Sequence, residues 1–115
     1  STFNKIEKGD NVYYRNMSFI TIDKQKRCVL TEYLNRRKHG NYVEYYDNGS
    51  IAKKCHYQHD KIQGLIKEYH MNGRIKRYIE MKNGVLNGYY REYNYHGQLI
   101  LTMYANNDKF INTDK

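Results

Sequence analysis

The 115-residue chain has no tryptophan, no proline and only two cysteines. Its mean hydropathy is −1.02 and 39% of its residues are apolar, so it has little material for a thick globular core. The length indicates one small domain. Because proline cannot donate a ladder hydrogen bond, its absence permits long, uninterrupted β-strands.

Long apolar segments are also missing. No stretch approaches the ~20 apolar residues that a membrane-spanning helix needs, and no charged and then apolar signal segment opens the sequence. We therefore predict no transmembrane segment and a cytoplasmic, intracellular location. Lys, Asn, Ile and Tyr are frequent and have A/T-rich codons, which indicates an AT-rich genome such as that of a parasite, a bacterium or a large DNA virus. If the source is viral, the predicted location is the host cytoplasm.

The two cysteines, Cys28 and Cys55, match no metal-binding or redox spacing. Each lies among strand-forming residues, and we interpret both as reduced thiols inside strands of a cytosolic protein.

What the chain does have is tyrosine and positive charge: 14 tyrosines and a net charge of +8. Low hydropathy and high charge suit a disordered chain, but disordered chains are poor in aromatic and β-branched residues. Tyrosine can lie half-buried with its hydroxyl in water. The composition therefore favours an ordered fold with a thin core.

A 24-residue repeat runs through the chain without gaps. The positions that recur in its three copies are Gly40, Gly64 and Gly88; Glu44, Glu68 and Glu92; Tyr45, Tyr69 and Tyr93; Gly49, Gly73 and Gly97; Ile51, Ile75 and Leu99; and Ile62, Leu86 and Phe110. A fixed period of this length is typical of repeat architectures in which each unit is one supersecondary element.

Each unit is predicted to be a strand, a turn and a strand, as in residues 41–46 and 51–57. A two-residue Asn-Gly turn would pair Tyr46 with Ile51, whereas a three-residue loop ending in a left-handed glycine would pair Tyr45 with Ile51. We favour the second, because it pairs the recurrent tyrosine with the recurrent aliphatic residue in every copy. Gly49, Gly73 and Gly97 are then the structural turn residues.

Simple alternation along the strands predicts two different faces. The drier face is predicted to carry Val43, Tyr45, Ile51, Cys55, Leu65, Tyr69, Ile75, Ile79, Tyr89, Tyr93, Leu99, Leu101 and Met103. The opposite face is predicted to carry the three glutamates with Tyr42, Lys54, Ile66, Lys76, Tyr78, Tyr90 and Tyr104. This register places Glu68 opposite Lys76.

Short polar links between the units indicate neighbouring antiparallel strands. The predicted fold is therefore all-β: an elongated, single-layer antiparallel meander of roughly four repeated β-hairpins. The predicted divisions are a partly ordered N-terminal segment (1–15), with residues 1–10 frayed; a degenerate repeat or cap (16–39); three repeats (40–63, 64–87 and 88–111); and a C-terminal tail (112–115).

The stretch from Gly40 to Ile51, Gly-x-Tyr-x-Glu-Tyr-Tyr-x-Asn-Gly-x-Ile, resembles a MORN (membrane occupation and recognition nexus) repeat, and most closely the variant of bacterial antitoxin-like proteins of the YwqK type. The resemblance covers residues 40–110. It implies rows of β-hairpins in one twisted antiparallel sheet, often dimeric, that serves as a binding or scaffolding surface. It also implies a toxin-neutralising or immunity-like role as an alternative.

No catalytic constellation is visible in the sequence. The closest histidine pair is His56 and His59, which has no Asp, Glu or Cys at ligand spacing. Glu44, Glu68 and Glu92 recur in equivalent positions, whereas catalytic carboxylate pairs have contrasting environments. We predict a non-enzymatic protein without metal or cofactor, in which the glutamates form a structural ladder.

The positive charge predicts the kind of partner. Stacked hairpins would place Lys53 and Arg77 on one edge row, joined laterally by Lys67 and Arg91. With Tyr45, Tyr69 and Tyr93, these are the predicted partner-binding residues. We predict a protein-interaction or scaffolding module, with binding of anionic lipid or nucleic acid as the alternative, and a homodimer formed through the tyrosine face or a terminal hairpin.

Overall fold

A computed structural model describes residues 3–111, and in this range it is all-β. The strands are β1 (Phe3–Lys8), β2 (Asn11–Ile22), β3 (Gln25–Leu34), β4 (Arg37–Tyr45), β5 (Ile51–Gln58), β6 (Lys61–Ile62), β7 (Gly64–Tyr69), β8 (Ile75–Lys82), β9 (Val85–Tyr93), β10 (Leu99–Asn106) and β11 (Lys109–Ile111). The predicted tail, residues 112–115, lies outside the described residues.

All the strands form one open antiparallel sheet in meander order, in which β6 and β7 both pair with β5. The molecule measures 55 × 33 × 19 Å, and its radius of gyration is 16.2 Å. A compact domain of this length would have a radius of gyration of about 13 Å. The predicted fold class, an elongated single-layer meander of hairpins, is therefore confirmed.

The turn inside each 24-residue unit has the predicted three-residue loop. Tyr45 pairs with Ile51, and the same pairing recurs between Tyr69 and Ile75 and between Tyr93 and Leu99. In the first copy the Gly49 amide donates to the Tyr46 carbonyl (2.9 Å) and the Tyr46 amide to the Ser50 carbonyl (2.8 Å). The three turn glycines have φ of 87–89°, which is favourable for glycine because it has no Cβ.

A β-bulge follows each of these turns. Glu44 pairs with Lys53 directly after the Tyr45–Ile51 pair, so Ala52 is an extra residue on β5. Lys76 and Ile100 are the extra residues of the other two copies. Because one extra residue exchanges the faces of all that follow it, the predicted pair between Glu68 and Lys76 is wrong: Glu68 pairs with Arg77.

The bulges also correct the predicted faces. Cys55, Ile79 and Met103 share a face with Tyr42, Ile66 and Tyr90, and Leu101 shares that face with the glutamates. Lys54, Tyr78 and Tyr104 lie on the opposite face, with Lys67 and Tyr89. We call the first the glutamate face and the second the tyrosine face, because the latter carries Tyr45, Tyr69 and Tyr93.

The glutamate face is the drier one, contrary to the prediction. The buried residues lie on this face or at the bulge next to it: Val29, Thr31, Glu44, Ala52, Cys55, Ile66 and Ala105. Exposed large apolar side chains occur on the tyrosine face, among them Phe19, Leu65 and Tyr89. Half-buried tyrosines and paired charges therefore cover the thin core of the glutamate face. In a β-sandwich a second sheet would cover it.

Two-residue turns join the units. Asn35-Arg36, His59-Asp60, Asn83-Gly84 and Asn107-Asp108 all have positive φ at both positions, as type I′ turns require. A turn of the same kind at Asp23-Lys24 joins β2 and β3, where the 24-residue units have a three-residue loop.

The N-terminal region is more ordered than the sequence predicts. Residues 3–8 form β1, which pairs along its whole length with β2, so the prediction that residues 1–10 are frayed is wrong for this part. Ser1 and Thr2 lie outside the described residues. The sequence did not indicate β1, because the 24-residue repeat cannot be recognised in residues 3–8.

Candidate binding surface

A row of alternating charges crosses the glutamate face. Glu44 pairs with Lys53, Lys53 with Glu68, Glu68 with Arg77, and Arg77 with Glu92, on five successive strands of the sheet. Opposite charges in directly facing positions stabilise a sheet, whereas like charges destabilise it. The 24-residue period supplies the glutamates, and the intervening strands supply the bases.

Glu44 is the most buried charged residue in this row, with 3% of its surface exposed. One carboxylate oxygen accepts a hydrogen bond from the Arg27 guanidinium at 2.8 Å, and the other accepts one from the Tyr42 hydroxyl at 2.8 Å. Burial, together with this hydrogen bond to Glu44, raises the pKa of Tyr42. The carboxylate is therefore satisfied by its own chain and is not free for a ligand.

Arg77 neutralises the other two glutamates. Its guanidinium lies 2.7 Å from a carboxylate oxygen of Glu68 and 3.7 Å from one of Glu92. The hydrogen bond that Arg77 donates to the Glu68 carboxylate raises the pKa of Arg77 further above its already high ordinary value. Arg27 and Arg77 are therefore held by carboxylates, whereas the Lys53 ammonium lies 5.8 Å from the centroid of the Tyr42 ring.

The tyrosine face carries a basic row that has no such compensation. Lys54 pairs with Lys67, Lys67 with Tyr78, and Tyr78 with Arg91. Within residues 3–111, none of the three bases forms an ion pair. We call Lys54, Lys67 and Arg91 the basic row.

Aromatic rings hold two members of the basic row in place. The Arg91 guanidinium lies 4.3 Å from the centroid of Tyr89 and 5.8 Å from that of Tyr78. The Lys54 ammonium lies 5.9 Å from the centroid of Tyr69. Cation–π contacts of this kind leave the positive charge in place and restrict its motion.

The carboxylates of the tyrosine face bind backbone amides. Glu32 accepts a hydrogen bond from the Asn41 amide, and Glu80 accepts one from the Tyr89 amide, each at 2.7 Å. These contacts close wide irregularities at Gly40 and Gly88, both with strongly positive φ. The other Glu32 oxygen lies 3.9 Å from Arg15. Neither carboxylate neutralises the basic row.

The structure divides the predicted partner-binding residues between the faces. Tyr45, Tyr69, Tyr93, Lys67 and Arg91 lie together on the tyrosine face. Lys53 and Arg77 lie on the other face, within the alternating-charge row, so the four predicted bases do not form one patch. The sequence did not indicate Lys54 as a binding residue and placed Tyr78 on the wrong face, because an alternating pattern carries no mark of the bulge that follows each turn.

The histidines and thiols do not belong to the basic row. His59 lies beside His39, with ring centroids 4.9 Å apart, whereas His56 pairs with Asn41. Among residues 3–111, no three side chains of His, Cys, Asp or Glu converge to hold a metal. Burial raises the pKa of the Cys55 thiol to about 11, so it stays protonated near neutral pH, and both cysteines are free thiols.

A concavity of about 680 Å³ lies at the N-terminal end of the sheet. Its lining consists of Lys5, Val12, Tyr14, Asn16, Asn35 and Arg36. No carboxylate or imidazole stands among these residues, so the cleft offers no acid–base pair.

No helix in the described part of the chain has the length and apolar character needed to span a membrane. Comparisons with protein-family models, curated proteins and solved structures gave no match. The resemblance to MORN repeats therefore remains a prediction from the sequence.

Proposed function

We propose that the chain is a non-catalytic protein-interaction or scaffolding module whose tyrosine face binds a partner protein with an acidic surface. The observation that carries the proposal is the basic row, Lys54, Lys67 and Arg91. Within residues 3–111 none of its bases forms an ion pair, whereas in the equivalent row on the other face of the same strands glutamates alternate with the bases and Arg77 is paired with two of them. A MORN-like role as a scaffold supports the same assignment.

The residues around the basic row are of the type that protein interfaces use. Tyrosine and arginine are enriched in interface cores because they bring a large contact area with few rotatable bonds. Tyr69 and Tyr93 follow two residues after Lys67 and Arg91, so each base has a tyrosine next to it on the same face. Restricting Arg91 between two rings reduces the entropy that binding would cost.

Nucleic acid and anionic lipid are the alternative partners of a basic surface. A single-stranded nucleic acid binds by stacking its bases on exposed aromatic faces. Here Arg91 lies over the faces of Tyr78 and Tyr89, so these rings are already in use, and this favours a protein partner. The toxin-neutralising alternative is supported by the MORN resemblance alone.

The proposal is tested with three defined probes: a synthetic Glu/Asp-rich peptide containing apolar residues, a single-stranded DNA oligonucleotide, and vesicles containing phosphatidylserine. The test variant replaces Lys54, Lys67 and Arg91 by Glu. The control replaces Lys24, Lys82 and Lys109 by Glu, which changes the net charge equally at exposed positions elsewhere.

We expect the peptide to bind at an ionic strength of about 0.15 M, where long-range charge attraction is largely screened. The basic-row variant should lose this binding at least tenfold, and the control variant should retain it. If instead the oligonucleotide or the vesicles bind at this salt concentration and lose binding only in the basic-row variant, the proposed protein partner is wrong.

A further inference from the structure

Two of the three glycines that begin the repeat units have a glutamate carboxylate packed against them. The carboxylate of Glu32 lies at Gly40 and that of Glu80 lies at Gly88, and a Cβ added at either glycine would collide with it. The same carboxylate oxygen accepts a hydrogen bond of 2.7 Å from the amide of the residue after the glycine. In these two units, therefore, a carboxylate from the neighbouring strand fills the irregularity at the glycine.

The middle unit lacks this carboxylate. The residue 24 positions after Glu32 and 24 positions before Glu80 is His56. At Gly64, the glycine of this unit, no atom lies within 4 Å of an added Cβ. The strand is also interrupted here, at Gln63 between β6 and β7, whereas β4 and β9 run through their glycines. The space that a carboxylate fills in the other two units is therefore open in the middle one.

A concavity of about 390 Å³ opens at this place, between β5 and β7. It is lined by Asn41, Val43, Lys54, Cys55, His56, Leu65 and Lys67. Because none of these residues is acidic, the Leu65 amide lacks the carboxylate that the equivalent amides of the other units have. Four strands lie on either side of β5 and β7 in the sheet, so the concavity is remote from both ends of the described chain.

The middle unit is also the one in which two bases face each other directly. Lys54 pairs with Lys67 across β5 and β7. In the other two units the corresponding pair consists of two apolar residues or of one base and a tyrosine. Like charges in directly facing positions destabilise a sheet, and neither lysine forms an ion pair within residues 3–111. The unit that has lost a carboxylate has thus gained two positive charges beside the open space.

We propose that this concavity binds a carboxylate group, which a glutamate or aspartate side chain of the partner protein supplies. The bound carboxylate takes the place that Glu32 and Glu80 occupy in their own units. It accepts a charge-assisted hydrogen bond from the Leu65 amide and neutralises the facing pair of Lys54 and Lys67. The two filled units show that this geometry suits a planar carboxylate, which is why we assign a carboxylate and not a phosphate. The source of the carboxylate rests on the proposed function, whereas the site itself is tested separately.

Nuclear magnetic resonance with a small ligand tests the site. The probe is N-acetyl-glutamate N′-methylamide, which presents a single side-chain carboxylate, and the control ligand is its glutamine analogue, which has the same shape without the charge. We expect the Leu65 amide proton to move downfield and to saturate as the probe is added, because a charge-assisted hydrogen bond is short and strong. The glutamine analogue, and sodium chloride at the same ionic strength, should leave this proton in place.

Three variants distinguish filling of the site from a general change in charge. His56→Glu restores the carboxylate of the other units, so its Leu65 amide proton should lie downfield without ligand and should not respond to the probe. Thr102→Glu is the matched control, because it adds the same charge at an exposed position on the tyrosine face, opposite Arg91 and outside the concavity. Thr102→Glu and His56→Ala, which leaves the space open, should both respond like the unchanged chain. Circular dichroism establishes that each variant is folded.

The acidic peptide that tests the proposed function connects the site with the partner. His56→Glu should weaken peptide binding roughly tenfold, the effect of losing one charge-assisted hydrogen bond, and it should do so more strongly than Thr102→Glu.

The outcomes separate this inference from the proposed function. An unmoved Leu65 amide proton in the unchanged chain, an equal shift with sodium chloride, or a full response in His56→Glu would each overturn the carboxylate site. Peptide binding that His56→Glu leaves intact also refutes the site, but the proposed function survives. Conversely, a response of Leu65 to the probe without any peptide binding supports the carboxylate site and refutes the acidic partner protein.

Discussion

The glutamate face and the tyrosine face are built from the same strands, yet they use their charges in opposite ways. On the glutamate face, Arg27 and Arg77 are hydrogen-bonded to carboxylates, and the most buried of these, Glu44, is almost fully covered. On the tyrosine face, Lys54, Lys67 and Arg91 have no carboxylate partner among residues 3–111. The paired charges of the glutamate face contribute to stability. The bases of the tyrosine face have no such role in the described chain.

The difference shows how a sheet without a second layer acquires a dry side. Its few apolar residues cannot cover a face alone, so tyrosine rings and paired charges complete the cover around Val29, Cys55 and Ile66. A charge in such a place must be paired, because an unpaired buried charge costs several kcal/mol. This pairing explains why the repeat places its glutamate on the drier face.

Of the changes considered, Glu44→Ala should lower the free energy of unfolding most. It leaves the Arg27 guanidinium and the Tyr42 hydroxyl without their acceptor, and removing one partner of a buried ion pair costs about 3 kcal/mol or more. Urea denaturation measures the loss. The matched change on the tyrosine face, Lys67→Ala, should alter the free energy of unfolding by less than ~0.5 kcal/mol, and equal losses from the two variants would contradict the assignment of the faces.

Gly88→Ala should have the next largest effect. A Cβ at this position would collide with the Glu80 carboxylate, and the backbone has a φ of +119°, so we expect a loss of about 2 kcal/mol. Gly64→Ala is the control: its φ is +89° with no atom within 4 Å of the added Cβ, which leaves backbone strain of roughly 1 kcal/mol. Adding Glu80→Ala should reduce the cost of Gly88→Ala, and an unchanged cost would show that the carboxylate does not fill this space.

Alkaline pH should destabilise the glutamate face. Burial raises the pKa of Cys55 from 9.0 to about 11 and also raises the pKa of Tyr42 and Tyr57. Because these groups lose their protons more readily when the chain is unfolded, stability is complete below pH 9 and is lost as pH rises towards 11. Urea midpoints measured from pH 7 to 11 should show this decline, and Cys55→Ala should make it shallower. A constant midpoint would contradict the burial of these groups.

Glu92→Ala should have a much smaller effect than Glu44→Ala, although the two residues occupy the same repeat column. The Glu92 carboxylate is 3.7 Å from Arg77, and both side chains are about one-third exposed, so the pair contributes at most ~1 kcal/mol. This contribution should shrink as salt is added. A loss as large as that of Glu44→Ala would show that position in the repeat, and not burial, sets the energy.

The repeat made the architecture predictable. The turns of the repeat units also show what the sequence did not predict. The recurrent glycine fixed the three-residue loop and therefore the Tyr45–Ile51 register. The bulge at Ala52 was not predicted, because nothing in an alternating pattern marks a residue as extra. It exchanged the faces of Cys55, Ile79 and Met103. For the same reason the sequence predicted only part of the basic row. Lys67 and Arg91 precede the turns, so alternation places them on the correct face, whereas Lys54 follows a bulge that changes its face.

The N-terminal strands show a second limit. β1 pairs with β2 along its whole length, but residues 3–15 carry no recognisable copy of the repeat, so their order comes from pairing with neighbouring strands, which only the structure reveals. The Asp23-Lys24 turn lacks glycine, so no characteristic turn residue marks it in the sequence. Its positive φ at both positions places an ordinary aspartate and lysine in a conformation that the sequence does not signal.

The meander order has a consequence for how the chain folds. Except for β5 and β7, which are separated by the two-residue strand β6, every described strand pairs only with its neighbours along the sequence, so no described strand pair requires the closure of a long loop. Such a sheet should fold faster than β-sandwiches of the same size, whose pairings join distant segments. It should also unfold progressively: amide hydrogens of β1 and β11 should exchange first and those of β4, β5 and β8 last, because each hairpin is stabilised by the hairpins beside it.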